Sequence, residues 1–147
     1  MIKAVIFDFN RTLFDPYNQK LYPGALNLVR DLKGKFKLGL VTTSGKGRDK
    51  SISESGLRYL FDFVRIVRVK DESVFDEFLK MYDYKPSELV IIGDWLGDEI
   101  AAGNNIGATT IWINKWAVTD MWVNNKNEQP DFVAVSYEDI KNILKVK

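Results

Sequence analysis

The sequence predicts an α/β fold, a mostly parallel sheet of five to six strands with helices on both faces. Two observations carry this. Short apolar runs alternate with helical patterns over all 147 residues, and such alternation implies strands joined by right-handed helical crossovers. Most of the runs are rich in Val, Ile, Leu and Phe without polar alternation, as in strands covered on both faces. The length suits one compact domain, 1–147, with a full core.

The elements follow in order. The run Val5-Ile6-Phe7 marks a strand over 3–8 that ends at Asp8. Leu26, Val29 and Leu32 recur at helical spacing and predict a helix over 23–33. Leu38-Gly39-Leu40-Val41 gives a strand over 37–42, closed by Thr42, and a helix is expected over 46–55. A strand over 63–67 precedes a helix over 73–82, whose apolar face carries Phe75, Phe78 and Leu79. Leu89 to Ile92 centre a strand over 88–93, followed by a helix over 97–105 and a strand over 109–113. A short strand over 132–134 leads into a last helix over 136–145, with Ile140, Ile143 and Leu144 on one face. Ser73 with Asp76, and Ser136 with Asp139, resemble N-cap pairs. The irregular stretch 114–130 is long for a connection in such a fold and carries Trp116, Met121 and Trp122. Long loops of this kind are usually functional or disordered, and the aromatics argue against full disorder.

Composition removes whole classes of chemistry. With 21 basic and 20 acidic residues the net charge is +1, without the basic stripe of a general nucleic-acid binder. There is no cysteine and no histidine. Disulfides, thiolate chemistry, histidine zinc sites and histidine general bases are thereby excluded. Reactions near neutral pH must rest on carboxylates, lysine, hydroxyls and a hard cation. No apolar stretch approaches the roughly 20 residues that span a bilayer, and the start of the chain runs straight into a strand. A cytoplasmic protein with no membrane partner is the expectation.

Polar residues recur at the carboxyl ends of the predicted strands. They are Asp8, then Thr42 followed by Thr43, then Lys70, then the cluster Gly93-Asp94-Trp95-Leu96-Gly97-Asp98. In a parallel sheet such positions converge on one crevice. Each has a plain structural reading. Asp8 suits a turn cap, Thr42 a strand end, Lys70 a solvated lysine, and Asp98 the N-cap of the helix over 97–105. Trp95 is expected to pack against loop 10–17. Arg11 either contacts a substrate phosphate or lies in solvent. Together they suit phosphoryl transfer. Clustered carboxylates need a cation, oxygen ligation suits Mg²⁺, a hydroxyl and an ammonium can hold phosphate oxygens, and a carboxylate can attack phosphorus.

The ordered motifs resemble those of the haloacid dehalogenase superfamily over nearly the full length. Asp8-Phe9-Asn10-Arg11-Thr12-Leu13 is similar to its first motif, Leu40-Val41-Thr42 to its second, Lys70 to its third and Gly93-Asp94-Trp95-Leu96-Gly97-Asp98 to its fourth. Ala101 to Ala108 and Pro130-Asp131-Phe132-Val133 also resemble late segments of the family. The resemblance implies a Rossmann-like three-layer sandwich and a phosphatase that works through an aspartyl-phosphate on Asp8. It implies Mg²⁺ bound by Asp8, the Asn10 carbonyl and Asp94, with Asp98 direct or through water, and Thr42 and Lys70 gripping the phosphate, while Thr43 and Arg11 are further candidate substrate contacts. Asn10 departs from the family, whose phosphatases carry there an Asp that protonates the leaving oxygen. An amide exchanges no proton near pH 7, and loss of general acid–base help costs roughly 10² to 10⁴-fold. The alternative is therefore a silent relative that binds a metal, a phosphorylated ligand or a protein partner.

The gaps 13–37 and 43–69 leave no room for the family's cap domain, so an open site is expected. Such a site suits a phosphorylated small molecule or a phosphoprotein, or a lid from a second copy through 114–130. A phosphoaccepting receiver domain would place its acidic pair early rather than late. A dehalogenase acts at carbon and would leave the Asp94–Asp98 cluster unused.

Overall fold

The computed structural model describes residues 1–115 and 122–147. Its main sheet contains β1 (Ala4–Phe7), β4 (Lys37–Thr43), β5 (Phe63–Val67), β6 (Leu89–Gly93), β7 (Thr109–Ile113) and β8 (Phe132–Ala134). The strand order is β5-β4-β1-β6-β7-β8, and every pairing is parallel. Both neighbours of β1 are thus strands that end in candidate site residues. The sequence misses a small hairpin, β2 (Phe14–Asp15) with β3 (Lys20–Leu21). Two-residue strands leave no periodicity to detect.

The helices are α1 (Ala25–Leu32), α2 (Arg48–Glu54), α3 (Glu72–Tyr82), α4 (Ala101–Ile106) and α5 (Tyr137–Ile143). They build one core on each face of the sheet. Val5 and Phe7 of β1 face a core that includes Leu28, Val29 and Leu32 of α1, Ile52 of α2 and Ile140 of α5. Ala4 and Ile6 face the other, with Val74, Phe75, Phe78 and Leu79 of α3 and Ala102 of α4. The period-two alternation of a strand buried on both sides explains why β1 reads as an unbroken apolar run.

Two helix starts test the capping expectations. The Ser136 side chain caps α5 by accepting from the Asp139 amide, as the sequence predicts. For α3 the cap is Asp71, not Ser73, and it accepts from the Ser73 amide. Either residue satisfies the sequence rule, and the helix starts at Glu72, one residue before the predicted start. The predicted helix over 97–105 is also corrected. It begins as a π-helical turn, Leu96–Ile100, and becomes α-helical only at Ala101.

The stretch between β1 and β4 holds the hairpin and α1, and that between β4 and α3 holds α2, a 3₁₀ turn and β5. Residues 116–121, which include Trp116 and Met121 of the expected lid, lie outside the described residues. Trp122 is exposed. Among the described residues no helix is long and apolar enough to cross a membrane.

Candidate active site

Asp8 follows the last residue of β1, and its amide still pairs with the Ile92 carbonyl of β6 at 2.9 Å. The chain then turns sharply. The amides of Thr12, Leu13 and Phe14 all donate to the Phe9 carbonyl. Phe9, Leu13 and Phe14 are buried, and the rings of Phe9 and Phe14 stack at 4.7 Å. The Tyr137 hydroxyl of α5 donates to the Thr12 carbonyl at 2.6 Å. The apolar members of the motif therefore anchor the turn, and the polar ones are left at the cleft.

Asp8 is 7% exposed. Lys70, beyond β5, donates to Asp8 Oδ1 at 2.5 Å and to Glu99 Oε2 at 3.3 Å. Lys70 is itself 7% exposed, whereas Lys80 lies in solvent. Thr12 Oγ1 reaches Asp8 Oδ2 at 3.4 Å. Carboxylate oxygens of Asp8, Asp94 and Glu99 all lie within 4.8 Å of one another. Burial first, then the charge of Asp8, pushes the Asp94 carboxyl up to about 7, against the opposing pull of Arg11. The same two causes push Glu99 up to about 8, against Lys70. Burial alone would lower the Lys70 ammonium, but Asp8 and Glu99 outweigh it and raise it above the ordinary lysine value.

Glu99 is the site residue that sequence reasoning misses. The group contains Glu99 in the place expected for Asp98, which is half-buried outside it. The π-helical turn is the reason. A π turn is wider than an α turn and is often found at functional sites. Here it sends Leu96, Glu99 and Ile100 inward. Glu99 then lies against Gly93, where an added Cβ would stand 2.0 Å from Glu99 Oε1. Gly93 is thus required for space. The Trp95 amide also donates to Glu99 Oε1 at 3.2 Å. The signal in the sequence is an acid one residue after Asp98, in a stretch that reads as an ordinary helix start.

Arg11 is neither free in solvent nor idle. It adopts a left-handed backbone conformation, φ 61°, and its Nε donates to Asp94 Oδ2 at 2.9 Å. Its guanidinium also lies 5.8 Å from the centre of the Trp95 ring, so Trp95 meets loop 10–17 through Arg11 and remains 46% exposed. Asn10 is half-buried beside Asp8, and its backbone bridges to Phe14.

Thr42 and Thr43 end β4, next to β1. Arg48, at the start of α2, folds back so that Nη1 donates to Thr42 Oγ1 and to the Thr43 carbonyl, both at 2.6 Å. Arg48 is a second residue that the sequence does not reveal, because nothing local shows an arginine turning back on the strand before it.

The sequence profile of haloacid dehalogenase-like hydrolases matches residues 1–113. The chain belongs to this family.

Among relatives of this haloacid dehalogenase-like chain, the glyceraldehyde 3-phosphate phosphatase of Methanopyrus kandleri is 29% identical over 139 residues, 90% of this chain and 59% of that protein. The pyrimidine 5'-nucleotidase YjjG of Escherichia coli is 26% identical over 122 residues, 78% of this chain and 50% of that protein. The chain thus spans between half and three-fifths of these two relatives. The fold matches a crystal structure of the HAD-hydrolase YfnB of Bacillus subtilis bound to magnesium, with a TM-score of 0.85, 16% identity and 99% of each chain covered.

A hard divalent cation fits the carboxylate group of this haloacid dehalogenase-like site. Among the described residues the three acids pair with two cations, Lys70 and Arg11, so carboxylates are in excess. Its donors are all oxygens, as Mg²⁺ prefers. Asp8, Asp94 and Glu99 are the side chains that would hold the ion.

Proposed function

We propose that the chain is a Mg²⁺-dependent phosphohydrolase or phosphotransferase that forms an aspartyl-phosphate on Asp8. The observation that carries this is the placement of Asp8 at the end of β1, held by Lys70 and grouped with Asp94 and Glu99. The relatives named as phosphatases support the reading, as does the magnesium in the similar fold of YfnB. Bound Mg²⁺ would neutralise the carboxylates and the incoming phosphoryl oxygens.

Asp8 attacks phosphorus. A bond forms between a carboxylate oxygen and phosphorus, and the ester bond to the leaving oxygen breaks. Lys70 holds the attacking carboxylate in place and offsets negative charge as the transfer proceeds. Thr42 and Thr43, at the neighbouring strand end, supply hydroxyls to the phosphoryl oxygens. Water then attacks the aspartyl-phosphate, releasing inorganic phosphate and restoring Asp8. Asn10 gives the leaving oxygen no proton and takes none from water, so leaving groups stable as anions, such as acyl and aryl oxygens, are preferred. Among the described residues the stretches between β1 and β4 and between β4 and α3 hold no separate cap, which suits a protein-borne or small phosphorylated substrate. A second reading, a binding domain that does not turn over, is favoured by Asn10 alone.

Phosphate release from an aryl phosphate with Mg²⁺ separates the two. Wild type is expected to turn over slowly, Asp8→Asn to lose all activity, and Asn10→Asp to gain roughly 10² to 10⁴-fold on alkyl phosphates. A silent wild type that becomes active only as Asn10→Asp would establish the binding reading instead.

A further inference from the structure

We infer that Arg48 selects the substrate by binding a second anionic group, a carboxylate or another phosphate, beside the phosphoryl group carried at Asp8. This rests on the phosphatase reading of the same cleft.

Arg48 stands apart from the other arginines of the chain. Arg11, Arg58 and Arg65 each pair with an acid. Arg30 and Arg68 lie in solvent. Arg48 is half-buried, and among the described residues no carboxylate comes within 4.0 Å of it. Withdrawing a cation from water without a counter-ion is unfavourable, and an arginine does not escape the cost by losing its proton. A ligand that brings negative charge removes the deficit.

The position of the guanidinium selects where that charge sits. The register pairs Phe7 of β1 with Leu40 of β4, so Thr42 stands at the strand end beside Asp8. The charges of Asp8 and Arg11 both act on Arg48, which puts it in the same cleft. Its Nη1 is fully used by Thr42 and Thr43. That contact occupies the acceptor side of the Thr42 hydroxyl and leaves its proton for a phosphoryl oxygen. Nε and Nη2 make no hydrogen bond among the described residues. These two donors form the side-on fork that binds carboxylate or phosphate in bidentate fashion. The fork lies toward the loop 44–47, because a Cβ on Gly45 would stand 3.0 Å from Nη2. Ser44 and Lys46 of that loop are exposed. One edge of Arg48 therefore braces the phosphoryl-binding threonines, and the other faces the rim, one guanidinium width away. Two anionic groups, one at Asp8 and one at the rim, match this layout.

The test compares two ligands that are not hydrolysed and differ in one carboxylate. Binding of ethylphosphonate and phosphonoacetate is measured by calorimetry with excess Mg²⁺. Wild type is expected to prefer phosphonoacetate by about tenfold or more, as a charge-assisted bidentate contact allows. In Arg48→Gln the ratio is expected to fall to about one, and Arg48→Lys, which keeps the charge without the fork, to give an intermediate ratio. The ratio does not depend on a change common to both ligands, so a displaced Thr42 would not imitate the result. Ethylphosphonate that binds wild type with no preference for phosphonoacetate overturns the proposal and leaves the phosphatase reading standing. A preference unchanged in Arg48→Gln does the same, and failure of both ligands to bind wild type overturns the two together.

Discussion

On the β1–β6 side of the cleft, three carboxylates, Asp8, Asp94 and Glu99, face two cations of the same chain, Lys70 and Arg11. On the β4 side, Thr42 and Thr43 meet a half-buried Arg48 with no carboxylate within 4.0 Å among the described residues. The first wall is crowded with charge and most of it is paired internally. The second is sparse, and among the described residues Arg48 has no acidic partner there. Each wall is short of a charge of opposite sign. The acidic wall lacks a cation, and the basic wall lacks an anion. A metal-bound phosphorylated ligand supplies both, so the asymmetry matches the proposed use of the cleft.

The largest effect is expected where internal pairing is densest. Lys70→Met leaves Asp8 and Glu99 buried without their shared cation. Breaking one partner of a buried ion pair typically costs about 3–5 kcal/mol. Urea unfolding of the metal-free protein at neutral pH should show a loss of this size, and Mg²⁺ should recover part of it through linkage. A loss below about 1 kcal/mol would mean that the acidic wall does not depend on Lys70, and the contrast between the walls would fail.

A pH titration sharpens the same contrast. Asp94 is raised from 3.8 to about 7 and Glu99 from 4.5 to about 8, in each case by burial first and Asp8 second. Both are acids with raised folded values. The folded protein therefore holds more protons than the unfolded chain across this window, and stability falls as pH rises. Lys70, raised above its ordinary value, stays protonated throughout and does not reverse the sign. The thermal midpoint of metal-free protein should drop between pH 4 and pH 8, and saturating Mg²⁺ should flatten the slope. A midpoint that rises over this range would show that the acids are not held in neutral form.

The two walls were unequally legible in the sequence. Strands β5, β7 and β8 fall at their predicted residues, because continuous apolar runs are what burial on both faces requires. Asp8, Lys70 and Asp94 were legible for a related reason: a polar residue that ends such a run must lie at the sheet's carboxyl edge. Glu99 was not, since its orientation depends on one extra residue in a helical turn, and single sequences do not announce π turns. Arg48 was hidden differently. Its role comes from a side chain that reverses direction, and no period or cap encodes that. The hairpin β2–β3 has strands of two residues each, too short to show a period, and the Tyr22 amide donating to the Leu13 carbonyl extends its ladder by one rung.

The smallest expected effect concerns Arg11, which belongs to the acidic wall yet carries the charge of the other. Its Nε occupies Asp94 Oδ2 at 2.9 Å, an oxygen of a residue that would hold the metal. Mg²⁺ and Arg11 would then draw on the same carboxylate, and loading the ion is expected to weaken the Arg11 contact. Arg11→Gln keeps a polar side chain and removes that competitor. Mg²⁺ affinity should then rise by roughly tenfold, about 1.4 kcal/mol, which is the size of a half-exposed pair slightly stronger than most surface pairs. Calorimetric titration of Mg²⁺ measures this without turnover. The ring of Trp95 lies beneath the same guanidinium, so tryptophan fluorescence should change on metal binding in wild type and much less in Arg11→Gln. Weaker Mg²⁺ binding in the variant would show that Arg11 organises the acidic wall for the ion instead of standing in for it.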